Sequence, residues 1–181
     1  MLEGTGTITV IEIRELERHE FGKVREIDVS EAGDMTYAWR DGALIEMPET
    51  WQRRPWSEQT CRDIVANWEK IADDGGTVLG AFDGERLVGE AVLVPHLTET
   101  MAQLQFLHVS AGYRRQGIAH RLVAEVLRLA RASNARTLYV SATPSRSAVS
   151  FYRSIGFVPT SEPHAELFAL EPDDIHMTMP L

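Results

Sequence analysis

A strand, a basic turn that contains glycine, and a periodic helix follow one another without a gap between Leu104 and about Ser133. The strand carries apolar residues as far as Val109, and the helix repeats them at helical spacing from Ile118. This order sets the free backbone N–H groups of a helix N-terminus beside Arg114 and Arg115, an arrangement suited to an anion such as phosphate. The segment therefore predicts a phosphate-binding turn within a mixed α/β domain.

The turn itself reads Arg-Arg-Gln-Gly-Ile-Ala over residues 114–119. It matches neither the dinucleotide pattern G-x-G-x-x-G nor the nucleotide pattern G-x-x-x-x-G-K-[ST]. Gly117 lets a ligand approach the backbone closely, and Ala119 does so less completely. Consecutive N–H groups from Arg115 to Ala119 then suit a pyrophosphate. The alternative is a plain strand–turn–helix connection whose glycine relieves strain, and the flanking strand and helix make it the weaker reading.

The remaining elements follow from apolar periodicity, caps and turn dipeptides. We expect the helix from Ile118 to connect two parallel strands, with no linker that divides the chain. The predicted strands are Ile8–Ile13, two short ones around Asp41-Gly42 within Met35–Met47, Thr77–Phe82, Arg86–Val94, Leu104–Val109, Thr137–Ala142, Glu166–Leu170 and Ile175–Met179. The predicted helices are Glu17–Ile27, one capped by Ser57 that runs to about Asp73, Ile118–Ser133 and Pro144–Ser154, and Trp51–Trp56 is a predicted loop.

Composition narrows the class of protein. The 181 residues are 44% hydrophobic and 25% charged, as in ordinary globular domains. A formal charge of −9 argues against a protein that binds nucleic acid or a membrane surface. It fits a cationic amine substrate weakly, and the simpler explanation of the charge is that it keeps the protein soluble. We expect no secretory signal and no membrane span. Cys61 is the single cysteine, so we expect a reducing cytoplasm.

Two motifs carry a resemblance to a known family. Residues 114–119 are similar to the [Gln/Arg]-x-x-Gly-x-[Gly/Ala] loop of the Gcn5-related N-acetyltransferases (GNAT). Residues 148–157 resemble their second motif, a helix ending in an aromatic residue and tyrosine, followed by Gly-Phe. The motifs occur in the expected order with a strand between them, and the resemblance extends from about Thr77 to the C-terminus.

The resemblance implies a GNAT-like α/β fold with a central, mostly antiparallel sheet that splays between its fourth and fifth core strands. We expect a single domain over residues 1–181. Residues 77–181 would form the acetyl-CoA-binding core, and residues 1–76 the substrate side, with a hairpin insertion at about 35–47. Residues 27–45 add a distant similarity to streptothricin acetyltransferases.

The resemblance also implies the reaction, which is transfer of an acetyl group from acetyl-CoA directly to a primary amine of a small molecule or peptide. The pantetheine arm would pair with backbone in the splayed strand, and the pyrophosphate would rest on the turn. The family often has Asn where this chain has Ser145. The implied cofactor-binding residues are Leu107, Val109, Arg114, Arg115, Gln116, Gly117, Ile118, Ala119 and Ser145.

Tyr152 stands where the family has the tyrosine that protonates the departing thiolate, with packing beside Phe151 and Phe157 as the alternative. The general base stays open. Some members have a glutamate where this chain has Gln103 or Gln105. Glu90 is the best remaining carboxylate, His108 is expected to pack against a helix, and a water chain is the third option.

Acceptor binding is assigned to the N-terminal part by the same resemblance. The alternatives to a small-molecule or peptidyl amine acetyltransferase are a non-catalytic acyl-CoA sensor and a protein lysine or N-terminal acetyltransferase. Scattered histidines predict no metal site, and the chain is expected to be a monomer or homodimer. The candidate acceptor contacts are Glu31, Asp41, Glu46, Glu49, Trp51 and Trp56. The simpler explanation is that the four carboxylates lie on the solvated surface and that the two tryptophans are partly buried in the core.

Overall fold

A seven-stranded sheet and a separate two-stranded hairpin organise residues 10–181, which the computed structural model describes. The strands are β1 (Glu12–Glu15), β2 (Glu31–Arg40), β3 (Ala43–Arg53), β4 (Thr77–Asp83), β5 (Arg86–Val94), β6 (Met101–Val109), β7 (Thr137–Ala142), β8 (Val158–Pro159) and β9 (Ile175–Pro180). The helices are α1 (Glu58–Asp73), α2 (Ile118–Ala132), α3 (Arg146–Ser154) and α4 (Ala165–Leu170), with 3-10 turns at Arg18–Glu26 and Ala111–Tyr113.

The large sheet has the strand order β1-β4-β5-β6-β7-β9-β8. Its neighbours are antiparallel except β6 and β7, which are parallel and joined through α2. Within the described residues these two strands pair only from Met101 to Gln103, opposite Thr137 to Tyr139, although β6 continues to Val109. The sheet thus opens between its fourth and fifth core strands, which confirms the predicted fold class.

Helices cover both faces of the sheet. On one face, α2 buries Ile118, Leu122 and Val126 against the strands, as its apolar period predicts. On the other face, Ser57 caps α1 by accepting from the Thr60 N–H at 3.0 Å, and Trp68 is fully buried. None of the helices in residues 10–181 combines the length and the apolar character that a membrane crossing requires.

The hairpin is longer than its sequence predicts. Asp41 and Gly42 form its turn with φ angles of 51° and 77°, as expected for the dipeptide. The strands, however, extend to Glu31 and Arg53, so the prediction of a loop from Trp51 was wrong. The reason is a tertiary contact. The Trp51 ring lies over Gly33, where an added Cβ would come within 2.7 Å of it.

Two other boundaries differ from prediction. Residues 166–170 belong to helix α4 rather than to a strand, because good helix formers outweigh a short apolar alternation that does not specify its own period. Strand β1 begins at Glu12, and the part of the predicted first strand before residue 10 lies outside the described residues.

An ion pair fastens the 3-10 turn Arg18–Glu26 to β1. Both guanidinium Nη atoms of Arg14 donate to the Glu20 carboxylate at 2.7 Å, and the Glu17 N–H donates to it at 3.1 Å. The hydrogen bond from Arg14 lowers the pKa of Glu20 to about 2. The Arg14 side chain is 37% exposed, so solvent screens part of the gain.

We expect Glu20→Gln to lower the free energy of unfolding by about 1 kcal/mol at pH 7. Because the folded-state pKa is depressed, this contribution is present above the unfolded pKa and is lost as the pH falls towards 2. Urea titrations at pH 7 and pH 3 measure it, with the exposed Glu69→Gln as control. A deficit that is equal at both pH values would contradict the ion-pair account.

Candidate active site

A cavity of about 880 Å³ opens where β6 and β7 part. Its walls are the end of β6, the turn of residues 114–119, helix α3 and the start of the hairpin. The cavity brings together eight of the nine predicted cofactor-binding residues: Leu107, Val109, Arg114, Arg115, Gly117, Ile118, Ala119 and Ser145. The ninth, Gln116, directs its amide to the Gly112 carbonyl at 3.3 Å. Whether these residues contact a ligand stays a prediction.

The β6 wall presents main-chain groups to the gap. The Ser110 N–H donates to the Val88 carbonyl at 2.8 Å, which makes these two a hydrogen-bonded antiparallel pair. Pairs alternate along a ladder, so Val109 opposite Gly89 and Leu107 opposite Ala91 are non-hydrogen-bonded pairs. Their N–H and C=O groups therefore turn away from β5 and towards the gap that β7 has left.

The turn combines two left-handed residues with a bare helix start. Arg115 has φ 64° and Gly117 has φ 79°, and Gly117 caps α2 without a side-chain hydrogen bond. The first N–H groups of α2 thus receive no capping side chain. A Cβ built on Gly117 meets no atom within 4 Å, so the positive φ rather than crowding is what requires glycine.

Arg114 holds the walls of the cavity together. Its Nε donates to the Val109 carbonyl at 3.0 Å, and its Nη1 donates to the Ser30 carbonyl at 2.9 Å. The side chain therefore joins the end of β6 to the residue before β2. Ser145 is engaged similarly, since its hydroxyl accepts from the Ala148 N–H at 3.3 Å as the cap of α3.

Tyr152 lines the cavity and also packs in the core, so its two predicted environments occur together. Its ring makes edge contacts with Phe151 at 5.5 Å and Phe157 at 5.4 Å between centroids. Burial raises the pKa of the Tyr152 phenol strongly, and the negative charges of Glu90 and Asp174 raise it further. The phenol consequently stays protonated throughout the neutral range.

A buried carboxylate lies behind the cavity wall. Glu90 on β5 is fully buried, and its Oε1 lies 2.6 Å from Nδ1 of His108 on β6. Its Oε2 has no hydrogen-bond partner among the described residues. His108 itself lines the cavity, and the indole of Trp56 stands edge-on to it at 5.0 Å.

The expectation that His108 shares a face with Leu104 and packs against a helix was wrong. The register between β5 and β6 shifts at this point, because Leu104 pairs with Leu93 while Phe106 pairs with Val92. The extra residue in β6 is a bulge, which reverses the alternation of faces beyond it. His108 is thereby on the face of Phe106 and opens onto the cavity, whereas Leu104 stays in the opposite core layer.

Residues distant in sequence form the hairpin side of the cavity. Two of the candidate acceptor contacts, Glu31 and Trp51, line the cavity, and their contact with an acceptor stays a prediction. The other four candidates are not among the residues that line it: Asp41, Glu46, Glu49 and Trp56. Sequence reasoning did not select Arg53, which lines the wall, or Asp174, which precedes β9. No local motif marks either residue, because only the long hairpin and the closing strand bring them near Tyr152.

Asp174 is a perturbed carboxyl close enough to Tyr152 and Arg53 for its charge to act on both. Burial raises its pKa to about 6, the negative charge of Glu171 adds to the rise, and the guanidinium of Arg53 opposes it. Within residues 10–181, no group of three or more His, Cys, Asp or Glu side chains is placed to hold a metal ion.

Sequence comparison assigns the family. The profile described as "Acetyltransferase (GNAT) family" matches residues 33–157, which is more than half of the chain. The chain belongs to the GNAT family. The matched stretch begins in β2 and ends just after α3, so it contains the left-handed turn, the splayed strand and Tyr152.

Two curated relatives are named as N-acetyltransferases. N-acetyltransferase 8 of Homo sapiens is 30% identical over 127 residues, which are 64% of this chain and 56% of that protein. N-acetyltransferase 8 of Mus musculus is 32% identical over 114 residues, 61% of this chain and 48% of that protein. The chain spans about half the length of the curated relatives it matches.

Solved structures share the fold over nearly the whole chain. Nourseothricin acetyltransferase superposes with a TM-score of 0.73 at 17% identity, covering 95% of this chain and 99% of that one. A putative streptothricin acetyltransferase from Bacillus anthracis str. Ames, in complex with acetyl coenzyme A, has a TM-score of 0.71 at 18% identity with the same coverage. At these identities the likeness shows the fold, and it confirms the predicted similarity to streptothricin acetyltransferases at that level.

We expect Asp174→Asn to raise the free energy of unfolding by about 1–2 kcal/mol at pH 7.5. A raised folded-state pKa gives stability that is present below the unfolded pKa, near 3.8, and is lost as the pH rises through about 6. The variant and the wild type should therefore agree at pH 4. Urea titrations at both pH values measure this, with the neighbouring, exposed Asp173→Asn as control. A gain that persists at pH 4 would contradict burial of the charge as its cause.

Proposed function

We propose that this chain is an acetyl-CoA-dependent N-acetyltransferase that moves an acetyl group directly to a primary amine of a small molecule or peptide. The observation that carries the proposal is the cavity at the parting of β6 and β7, bordered by a turn of exposed amides at one end and by Tyr152 and His108 at the other. The N-acetyltransferase names of the curated relatives and the acetyl coenzyme A bound to one fold neighbour support the same donor.

The residues present fit acetyl-CoA. The left-handed turn offers the N–H groups of residues 115–119 to the diphosphate, and the start of α2 adds a partial positive charge. Leu107 and Val109 turn their peptide groups into the gap, where an extended pantetheine amide chain would pair with them like an added strand. Arg115 lines the cavity and contributes a cation.

The chain supplies two functions at the thioester. Attack by the amine places negative charge on the carbonyl oxygen, and the Val109 N–H that faces the gap is positioned to stabilise that charge. The departing thiolate requires a proton, which Tyr152 donates. Because burial keeps this phenol protonated, the donor is available at every neutral pH.

The acceptor is a primary amine bound among Glu31, Trp51 and the hairpin wall. Residues 1–76, in this proposal, form the substrate side of a single domain. The location is the cytoplasm, supported by the buried free thiol of Cys61. A turnover screen with acetyl-CoA and spermidine, a streptothricin, free lysine and a short peptide with a free N-terminus distinguishes small-molecule from peptidyl acceptors.

Coenzyme A at 100 times its Kd should stabilise the wild type by about 2.7 kcal/mol, which raises Tm by several degrees. Gly117→Glu should abolish this rise, because a carboxylate then repels the diphosphate from the turn. Gly42→Glu is the matched control, since Gly42 has a φ of 77° against 79° at Gly117 and both have open space around the added Cβ. A Gly117→Glu protein with the full rise in Tm would move the diphosphate site away from this turn.

Tyr152→Phe should lower kcat by about 100-fold and leave the Kd for acetyl-CoA unchanged, because the substitution removes a proton donor but keeps the packed ring. Steady-state kinetics and calorimetry measure the two quantities, with Tyr37→Phe in the hairpin as control. Equal turnover in variant and wild type would exclude the proton-donor role. No turnover by the wild type with any amine, despite acetyl-CoA binding, would favour the acyl-CoA sensor.

A further inference from the structure

We propose that His108, held in one tautomer by the buried Glu90, is the group that accepts the proton of the acceptor ammonium. The inference rests on the proposed function. The sequence left three candidates for the general base, which were Glu90, His108 and a water chain, and the inference replaces them by one pair in which the two residues have different roles. His108 is the catalytic base, because it opens onto the cavity. Glu90 is a positioning residue, which acts through the imidazole.

Burial separates the two roles. Glu90 has no exposed surface and is not among the residues that line the cavity, so it does not reach an amine bound there. The His108 side chain is 25% exposed and lines the cavity together with Tyr152. A carboxylate without access and an imidazole with access, 2.6 Å apart, form a relay in which only the histidine meets the substrate.

The hydrogen bond sets the tautomer. In this inference the Glu90 carboxylate is the acceptor of the hydrogen bond, so Nδ1 of His108 carries the proton and donates it to Oε1 of Glu90. The lone pair is then on Nε2, the ring nitrogen away from the carboxylate. Because Glu90 has no other hydrogen-bond partner in residues 10–181, this donor is its main compensation for burial.

Aromatic and titratable side chains surround the His108 ring. Trp56, in the segment before α1, stands edge-on at 5.0 Å, and Phe106 on β6 lies at 5.9 Å between centroids. Glu90 from β5 is the titratable group in contact with the ring. The other titratable side chains that line the same cavity are Glu31, Asp34 and Arg53 on the hairpin, Tyr113, Arg114 and Arg115 in the segment before α2, His120 on α2, and Arg146 and Tyr152 on α3.

The proton balance closes with the two groups. Nε2 of His108 takes one proton from the ammonium, and the free amine attacks the thioester carbon, forming the C–N bond. The C–S bond then breaks, and Tyr152 protonates the thiolate. The second proton of the new C–N ammonium returns to the Tyr152 phenolate, and His108 releases its proton to solvent. The products are an amide, coenzyme A thiol and one proton.

A readout independent of activity tests the pair in the free protein. Long-range ¹H–¹⁵N NMR of the imidazoles should give the Nδ1–H tautomer for His108, and Glu90→Leu should abolish that preference. The exposed His19 should be the same in both proteins, which makes it an internal control. An Nε2–H tautomer of His108 in the wild type would overturn the inference, because the lone pair would then point at the carboxylate.

Steady-state kinetics test the role of His108 as the base. The acceptor is the amine with the highest turnover in the screen described under the proposed function. His108→Gln should lower kcat/KM about 100-fold at pH 7, and the gap to the wild type should narrow to a few-fold at pH 10, where roughly half of an amine with a pKa near 10 is free without a base. Glu90→Leu should lower kcat/KM about 10-fold with the same rescue. His19→Gln is the matched control variant, and circular dichroism verifies the fold of each protein.

The outcomes separate this inference from the function beneath it. If the wild type acetylates an amine and His108→Gln is equally active at pH 7, the base assignment is wrong and the proposed function stands. A loss at pH 7 that stays the same at pH 10 also overturns it, since a structural defect is not rescued by free amine. If the wild type acetylates no amine, the proposed function fails and the base assignment fails with it, whatever the tautomer.

Discussion

The separation of β6 from β7 is the constraint on which the rest of the molecule depends. A parallel pair of three residues is enough to align the two strands, and helix α2 between them carries the chain across. Beyond Gln103 each strand turns its edge to open space, which an ordinary sheet would avoid. The turn before α2, the start of α3 and the hairpin all border this opening. An exposed strand edge normally promotes aggregation, but here the end of β6 lines a cavity whose other walls cover it.

The core of this arrangement could be predicted from local sequence. The periodic helix from Ile118, the basic turn before it, and the strands on both sides follow from apolar spacing and glycine, and the resemblance to GNAT proteins supplied the splay. The eight cavity-lining residues predicted for the cofactor come from the turn motif and from the resemblance to the family. That they line one cavity has a simple cause, which is that the position of each is fixed by its near neighbours along the chain.

The features that were missed depend on long-range contacts. One extra residue in β6 reverses the faces beyond Leu104, and nothing in that strand's own apolar pattern reveals which residue the opposite strand will skip. The extension of β3 to Arg53 depends on the packing of the Trp51 ring over Gly33, its partner across the hairpin. The pairing of Glu90 with His108 depends on the first of these facts, because the β5–β6 register beyond the bulge sets the two residues opposite each other. The sequence therefore offered the two residues as alternative bases and not as partners.

Arg114 changes how mutational data on this family member are to be read. Its guanidinium joins the last carbonyl of β6 to the residue that precedes the hairpin, so it acts as a cross-brace between the β6 wall and the hairpin wall of the cavity. An alanine at this position would let the two walls drift apart. Weakened coenzyme A affinity in such a variant would then report the width of the cleft rather than a missing contact with phosphate, and losses in amine recognition would accompany it.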